Sequence, residues 1–116
     1  MMSAPAIDRA TFEALKQTTG ADFVLELVDT FLQEAPPMLN ELRHALAAKD
    51  ADKFRRTAHS LKSNSNTFGA LTLGAMAREL ELGGMATVIE RGGQPLDALA
   101  AEYSRVAAAL TELQHE

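Results

Sequence analysis

Apolar residues recur at spacings of three and four along nearly the whole chain, and no stretch alternates strictly, so the pattern predicts helices throughout and no strand. Asp8 to Gly20 reads as a short first helix. Asp8 stands where a side chain caps free amides, Phe12 and Leu15 share one side, and Gly20 suits the stop. From Ala21 to about Lys49 a stripe of Val24, Val28, Phe31, Ala35, Met38, Leu42 and Leu46 runs across Pro36 and Pro37. Proline inside a helix removes a hydrogen bond and crowds the preceding turn, so either a kink or a stop and restart is expected there, and the stripe's continuity favours the kink.

"AAKDAD" then predicts a tight connection, with Asp50 or Asp52 capping a third helix that runs to about Phe68 and ends at Gly69. A fourth helix is expected from near Thr72 to about Glu90, followed by a turn at Gly92, Gly93 and Pro95. Leu96, Leu99, Tyr103, Val106, Leu110 and Leu113 then mark a fifth helix with a continuous core seam. Gly83 and Gly84 fall inside the fourth helix, where glycine is unfavourable. Leu73, Leu80 and Gly84 share an inward stripe, so a small residue is expected to let a neighbouring helix approach, the competing reading being a broken or frayed helix. Short connections between amphipathic helices imply antiparallel neighbours in an up-down bundle.

The third helix divides sharply into two faces. With Phe54 as origin and about 100° per residue, Ala58, Leu61, Ser65 and Phe68 fall within roughly 40° of it, whereas His59 lies about 140° away. Arg55, Lys62, Ser63 and Asn66 flank the histidine, so the polar residues form one cluster on the solvent side. His44 and His115 read as ordinary surface side chains. His59 differs because Lys62 stands one turn on, close enough to set an ammonium beside a phosphoryl group on the ring. An exposed imidazole with the ordinary pKa of about 6.5 is largely neutral near pH 7, and its free nitrogen lone pair can attack phosphorus.

Composition narrows the alternatives. The chain has 116 residues, 47% hydrophobic and 23% charged, which suits one soluble domain spanning 1–116 with residues 1–7 as a flexible start. It has no cysteine, which excludes disulfides and thiolate zinc sites, and its net charge of -5 argues against nucleic acid or an anionic membrane as partner. No apolar run is long enough to span a bilayer and the start has no signal-peptide pattern, so a cytoplasmic protein is expected. No phosphate-binding glycine loop and no serine-nucleophile elbow occur, and His59 has no histidine or carboxylate three or four residues away to complete a metal site. The pair Arg55 and Arg56 is too small a patch for nucleic acid and reads as steering an acidic partner surface or as simply solvated.

The stretch "AHSLKSNSNTFGA" resembles the signature of histidine phosphotransfer (HPt) domains at Ala58, His59, Leu61, Lys62, Gly69 and Ala70. The leading helix, the proline-containing second helix, the "LAAKD" turn and the leucine-rich last helix extend the resemblance over most of the chain. The resemblance implies an all-α, antiparallel up-down four-helix bundle with a short additional N-terminal helix. It implies His59 as phosphoacceptor and Lys62 as the cation against the phosphoryl oxygens. Arg55, Arg56, Ser63 and Asn66 are then the expected partner surface, with Ser63 standing where many members have glycine. The expected function is that of a monomeric phosphocarrier without an ATP site, exchanging phosphoryl groups with receiver domains of response regulators or hybrid histidine kinases. No cofactor or metal of its own is expected, Mg²⁺ being brought by the receiver. Two rivals are the dimerisation and phosphoacceptor segment of a sensor kinase, which typically has an acidic residue after the histidine where Ser60 stands here, and a purely structural helical adaptor.

Overall fold

A computed structural model describes residues 5–115, and the described chain is all helical. Helix α1 covers Arg9–Thr19, α2 Ala21–Ala48, α3 Ala51–Thr67, α4 Leu71–Glu90 and α5 Gln94–Gln114. Contacts of α2 with α3, α3 with α4, α4 with α5 and α5 with α2 close a ring around one core, and α1 lies against α2 and α3. No helix among the described residues is long and apolar enough to cross a membrane.

The ends of α3 show how local sequence fixes the site's position. Asp50 caps its start, its carboxylate accepting from the Lys53 amide at 3.1 Å. At the other end the Ala70 amide donates to the Ser65 carbonyl at 2.9 Å and Gly69 to Asn66 at 3.1 Å, the paired bonds of a left-handed helix stop. Gly69 has φ +85°, and an added Cβ would lie 2.7 Å from the Asp8 carbonyl oxygen. Its own carbonyl accepts the Asp8 amide at 2.7 Å, so the stop of α3 and the start of α1 are locked together. Of the segment 1–7 expected to be flexible, 1–4 lie outside the described residues, whereas Ile7 is in the core.

Phe54, Ala58, Leu61, Ser65 and Phe68, the expected inner face of α3, are all buried, and Thr57 joins them. Each fully buried large apolar side chain such as Phe54 or Leu61 contributes about 1.5–3 kcal/mol relative to exposure. α2 continues through Pro36 and Pro37 as one helix, both prolines lying on its exposed side. Pro36 has no amide to give the carbonyl of Leu32 four residues earlier. That carbonyl instead meets the hydroxyl of Tyr103 from α5, which donates to it at 3.5 Å. Phe31 packs on both Phe68 and Tyr103, with ring centroids 5.3 and 6.1 Å apart.

The close-approach reading of Gly83 and Gly84 is corrected by the backbone. Gly84 has φ +69° and ψ -169°, a conformation open essentially only to glycine, and it breaks α4 into two helical pieces. Nothing lies within 4 Å of a Cβ placed there, and at Gly83 the nearest atom is Thr87 Oγ1 of the same helix. Within α4 the glycine that admits a neighbouring helix is Gly74, where an added Cβ would meet Asn66 Oδ1 at 2.0 Å across the α3–α4 contact.

Candidate functional site

His59 sits on the outer side of α3, its side chain 55% exposed, because the neighbouring Ala58 and Leu61 take the core positions. Its Nδ1 lies 2.7 Å from Oε2 of Glu81 on α4. The other oxygen, Oε1, accepts from Nζ of Lys62 at 2.9 Å. One carboxylate thus joins the two expected site residues from the facing helix, and it is only 14% exposed. A sequence search for carboxylates within three or four residues of His59 does not reach this one, which comes from another helix. The geometry also revises the picture of Lys62 as a free surface ammonium, since its side chain is 24% exposed and held by an ion pair.

The electrostatics follow from that geometry. The Lys62 hydrogen bond holds the Glu81 carboxyl below its usual range, the desolvation of its setting works against this, and His59 adds a further lowering contribution. Glu81 is therefore an anion at neutral pH and can only accept from His59. That assigns the hydrogen of the neutral imidazole to Nδ1 and leaves the lone pair on Nε2, the ring nitrogen that Glu81 does not engage. The arrangement yields an oriented nucleophile with an ammonium one turn away. Among the described residues no group of three or more His, Cys, Asp or Glu stands together in a way that could hold a metal ion.

The family model of the Hpt domain matches residues 26–116, which include every residue of this site. The chain belongs to the Hpt domain family. Its role is histidine phosphotransfer in phosphorelays. The crystal structure of histidine-containing phosphotransfer protein B (HptB) from Pseudomonas aeruginosa PAO1 matches with a TM-score of 0.87 at 29% identity, over 97% of this chain and 97% of that one. The sensor protein TorS of Escherichia coli K12 is 34% identical over 65 residues, 56% of this chain, and the chain spans only 7% of the length of TorS.

The rest of the expected partner surface of this Hpt domain is divided. Arg55 and Arg56 both bind Asp52, at 3.0 Å each, one turn before His59. Ser63 is exposed, and its carbonyl accepts the Thr67 hydroxyl at 3.0 Å. Asn66 is exposed as well, but its amide group lies over Gly74, where it fills the α3–α4 crossing. A shallow depression lined by Glu41, Lys53, Arg56, Thr57 and Ser60 flanks the histidine on the α2 side. His44 and His115 are exposed, as expected of surface histidines.

Glu81 is the residue that sequence reasoning missed. It lies 22 positions from His59, beyond any spacing within one helix. A signal was nevertheless present: Glu81 follows Leu80 and stands four residues after Ala77, both buried, so it occupies the edge of α4's inward face.

Proposed function

We propose that this Hpt domain accepts a phosphoryl group on Nε2 of His59 from the aspartyl phosphate of one receiver domain and passes it to the aspartate of another. The observation that carries this reading is the bond between His59 Nδ1 and Glu81 at 2.7 Å, which reserves Nε2 for phosphorus. The chain acts as a phosphocarrier. Glu81 orients the ring, and Lys62 uses one of its three hydrogens on Glu81 and has two left for phosphoryl oxygens. Phosphoryl transfer depends on alignment and charge neutralisation, and a receiver that brings Mg²⁺ supplies the greater part of the second.

In this reading α2 to α5 form an antiparallel up-down four-helix bundle to which α1 is added, a single domain working as a cytoplasmic monomer. The closed ring of helix contacts and the short connections support the bundle topology. Receiver domains dock over the exposed side of α3, where Ser63 sets the clearance beside the ring and Arg55, Arg56 and Asn66 border the contact. The test is His59→Gln incubated with a radiolabelled phosphorylated receiver. The expected result is a folded protein that acquires no acid-labile label; labelling at the wild-type level would assign the phosphoryl group to another residue.

A further inference from the structure

The carboxylate that orients His59 before the reaction remains beside the ring after it. Taking His59 as the phosphoacceptor, on which this inference rests, we propose that Glu81 keeps the proton on Nδ1 of the phosphorylated ring, so that the group departing in the next transfer is neutral imidazole. Glu81 is then a positioning residue that acts on the phosphorylated state as well as on the free one.

The balance of the step requires such a partner. The Nε2 lone pair forms the N–P bond while the P–O bond to the receiver's aspartate breaks, and that oxygen leaves with the electron pair as a carboxylate. The Nδ1 proton has not moved, so the ring is now a phosphorylated imidazolium with one positive charge. If it lost that proton to water, the next step would have to expel an imidazolide anion, a far poorer leaving group. With the proton retained, attack by the second aspartate breaks N–P, the pair returns to Nε2, and the ring is again neutral with its hydrogen on Nδ1. No proton enters or leaves in either direction.

The geometry favours retention over transfer of the proton to Glu81. Lys62 at 2.9 Å on Oε1 stabilises the carboxylate as an anion while Oε2 faces Nδ1 at 2.7 Å. The other charged groups around the histidine are largely matched against each other. On α3, Arg55 and Arg56 share Asp52, and Lys53 pairs with Glu41 of α2 at 3.5 Å. On α4, Arg78 precedes Glu81 by one turn and is exposed, and on α1 Asp8 is engaged at its own helix start by Thr11. Glu81 is the carboxylate bonded to the ring.

The test uses the full chain, labelled with ¹⁵N and phosphorylated chemically with phosphoramidate, a small donor that reacts with histidine. NMR then follows each ring through a pH titration. The Nδ1 proton of phosphorylated His59 is expected to titrate about one pH unit or more higher in wild type than in Glu81→Gln, the scale of shift an adjacent opposite charge produces. The N–P bond is expected to last longer at neutral pH in the variant. Phosphorylated His44 and His115, both exposed, give a comparison inside the wild-type protein that needs no variant to fold. Their rings are expected to release the proton at lower pH than His59. Equal midpoints for His59 in the two proteins, or for the three histidines in wild type, would overturn the assignment to Glu81. Receiver-dependent labelling of the same samples is scored separately, and its absence from His59 would instead overturn the phosphoacceptor reading.

Discussion

Asp52 and Glu81 each gather two basic side chains, yet they do different work. Asp52 binds Arg55 and Arg56 three and four residues ahead on its own helix, and its side chain is 66% exposed. Glu81 reaches across a helix contact to His59 and Lys62, and it is 14% exposed. In both cases a cationic hydrogen-bond donor does most to hold the carboxyl pKa down, Arg55 for Asp52 and Lys62 for Glu81. Water screens the first group and leaves its partners free to move. The second is held between two packed helices, so the same chemistry fixes a ring nitrogen in space. Position in the fold, more than the identity of the charges, separates a solvated cluster from the proposed reaction site.

The contrast is tested first at the lysine. Lys62→Ala is expected to slow transfer by about 10- to 100-fold, the effect of losing roughly 1.4 to 2.7 kcal/mol of transition-state stabilisation. Stopped-flow or quenched transfer from a phosphorylated receiver measures it, and an unchanged rate at low and moderate salt would remove Lys62 from the chemistry. Ser63 comes next, because it bears on access and not on charge. Ser63→Gln is expected to impede the partner several-fold, while Ser63→Gly transfers at least as fast at a helix cost of roughly 0.5 kcal/mol. The reverse order of rates would replace clearance with a polar contact as the function of this position.

A smaller effect is expected in acid. The folded-state pKa of Glu81 is lowered, so its contribution to stability is complete above the unfolded glutamate value and is lost as pH falls through the folded value, in the range below about pH 4. Wild type should therefore lose more stability than Glu81→Gln between pH 5 and pH 2, as followed by chemical denaturation at each pH, and parallel curves would show that the carboxylate is not coupled to folding. Asp52→Asn is the smallest case. Neither its transfer rate nor its melting temperature at neutral pH should move beyond measurement error, and a rate loss comparable to that of Lys62→Ala would show that the arginines bordering the receiver contact need Asp52 to hold them in place.

The sequence made one helix of the site readable and hid its partner. A period of 3.6 separates Phe54, Ala58, Leu61 and Ser65 from His59, and burial follows that division residue by residue. The same arithmetic cannot say which acidic residue of α4 faces the histidine, because that depends on how two helices cross. The crossing in turn depends on Gly74 accepting the Asn66 side chain, a contact between residues on different elements. The inward stripe of α4 was legible as far as Leu80 and no further. Beyond it Val88 is fully buried, but Gly84 breaks the backbone between the two, an interruption that a periodic count, which assumes an unbroken helix, does not show.

The meeting of Tyr103 with the Leu32 carbonyl has an optical consequence. The chain contains one tyrosine and no tryptophan, so its emission on excitation at wavelengths that phenylalanine does not absorb comes from a single ring lodged between α2 and α5. Burial pushes the phenol's pKa up, so the emitting species stays the neutral phenol well into alkaline solution. The fluorophore sits against α2 and away from the α3–α4 contact that holds His59, and no label need be attached to read it. Emission unchanged on phosphorylation would mean that the reaction stays local to α3 and α4, whereas a change in intensity would mark strain carried through the core to the far helix.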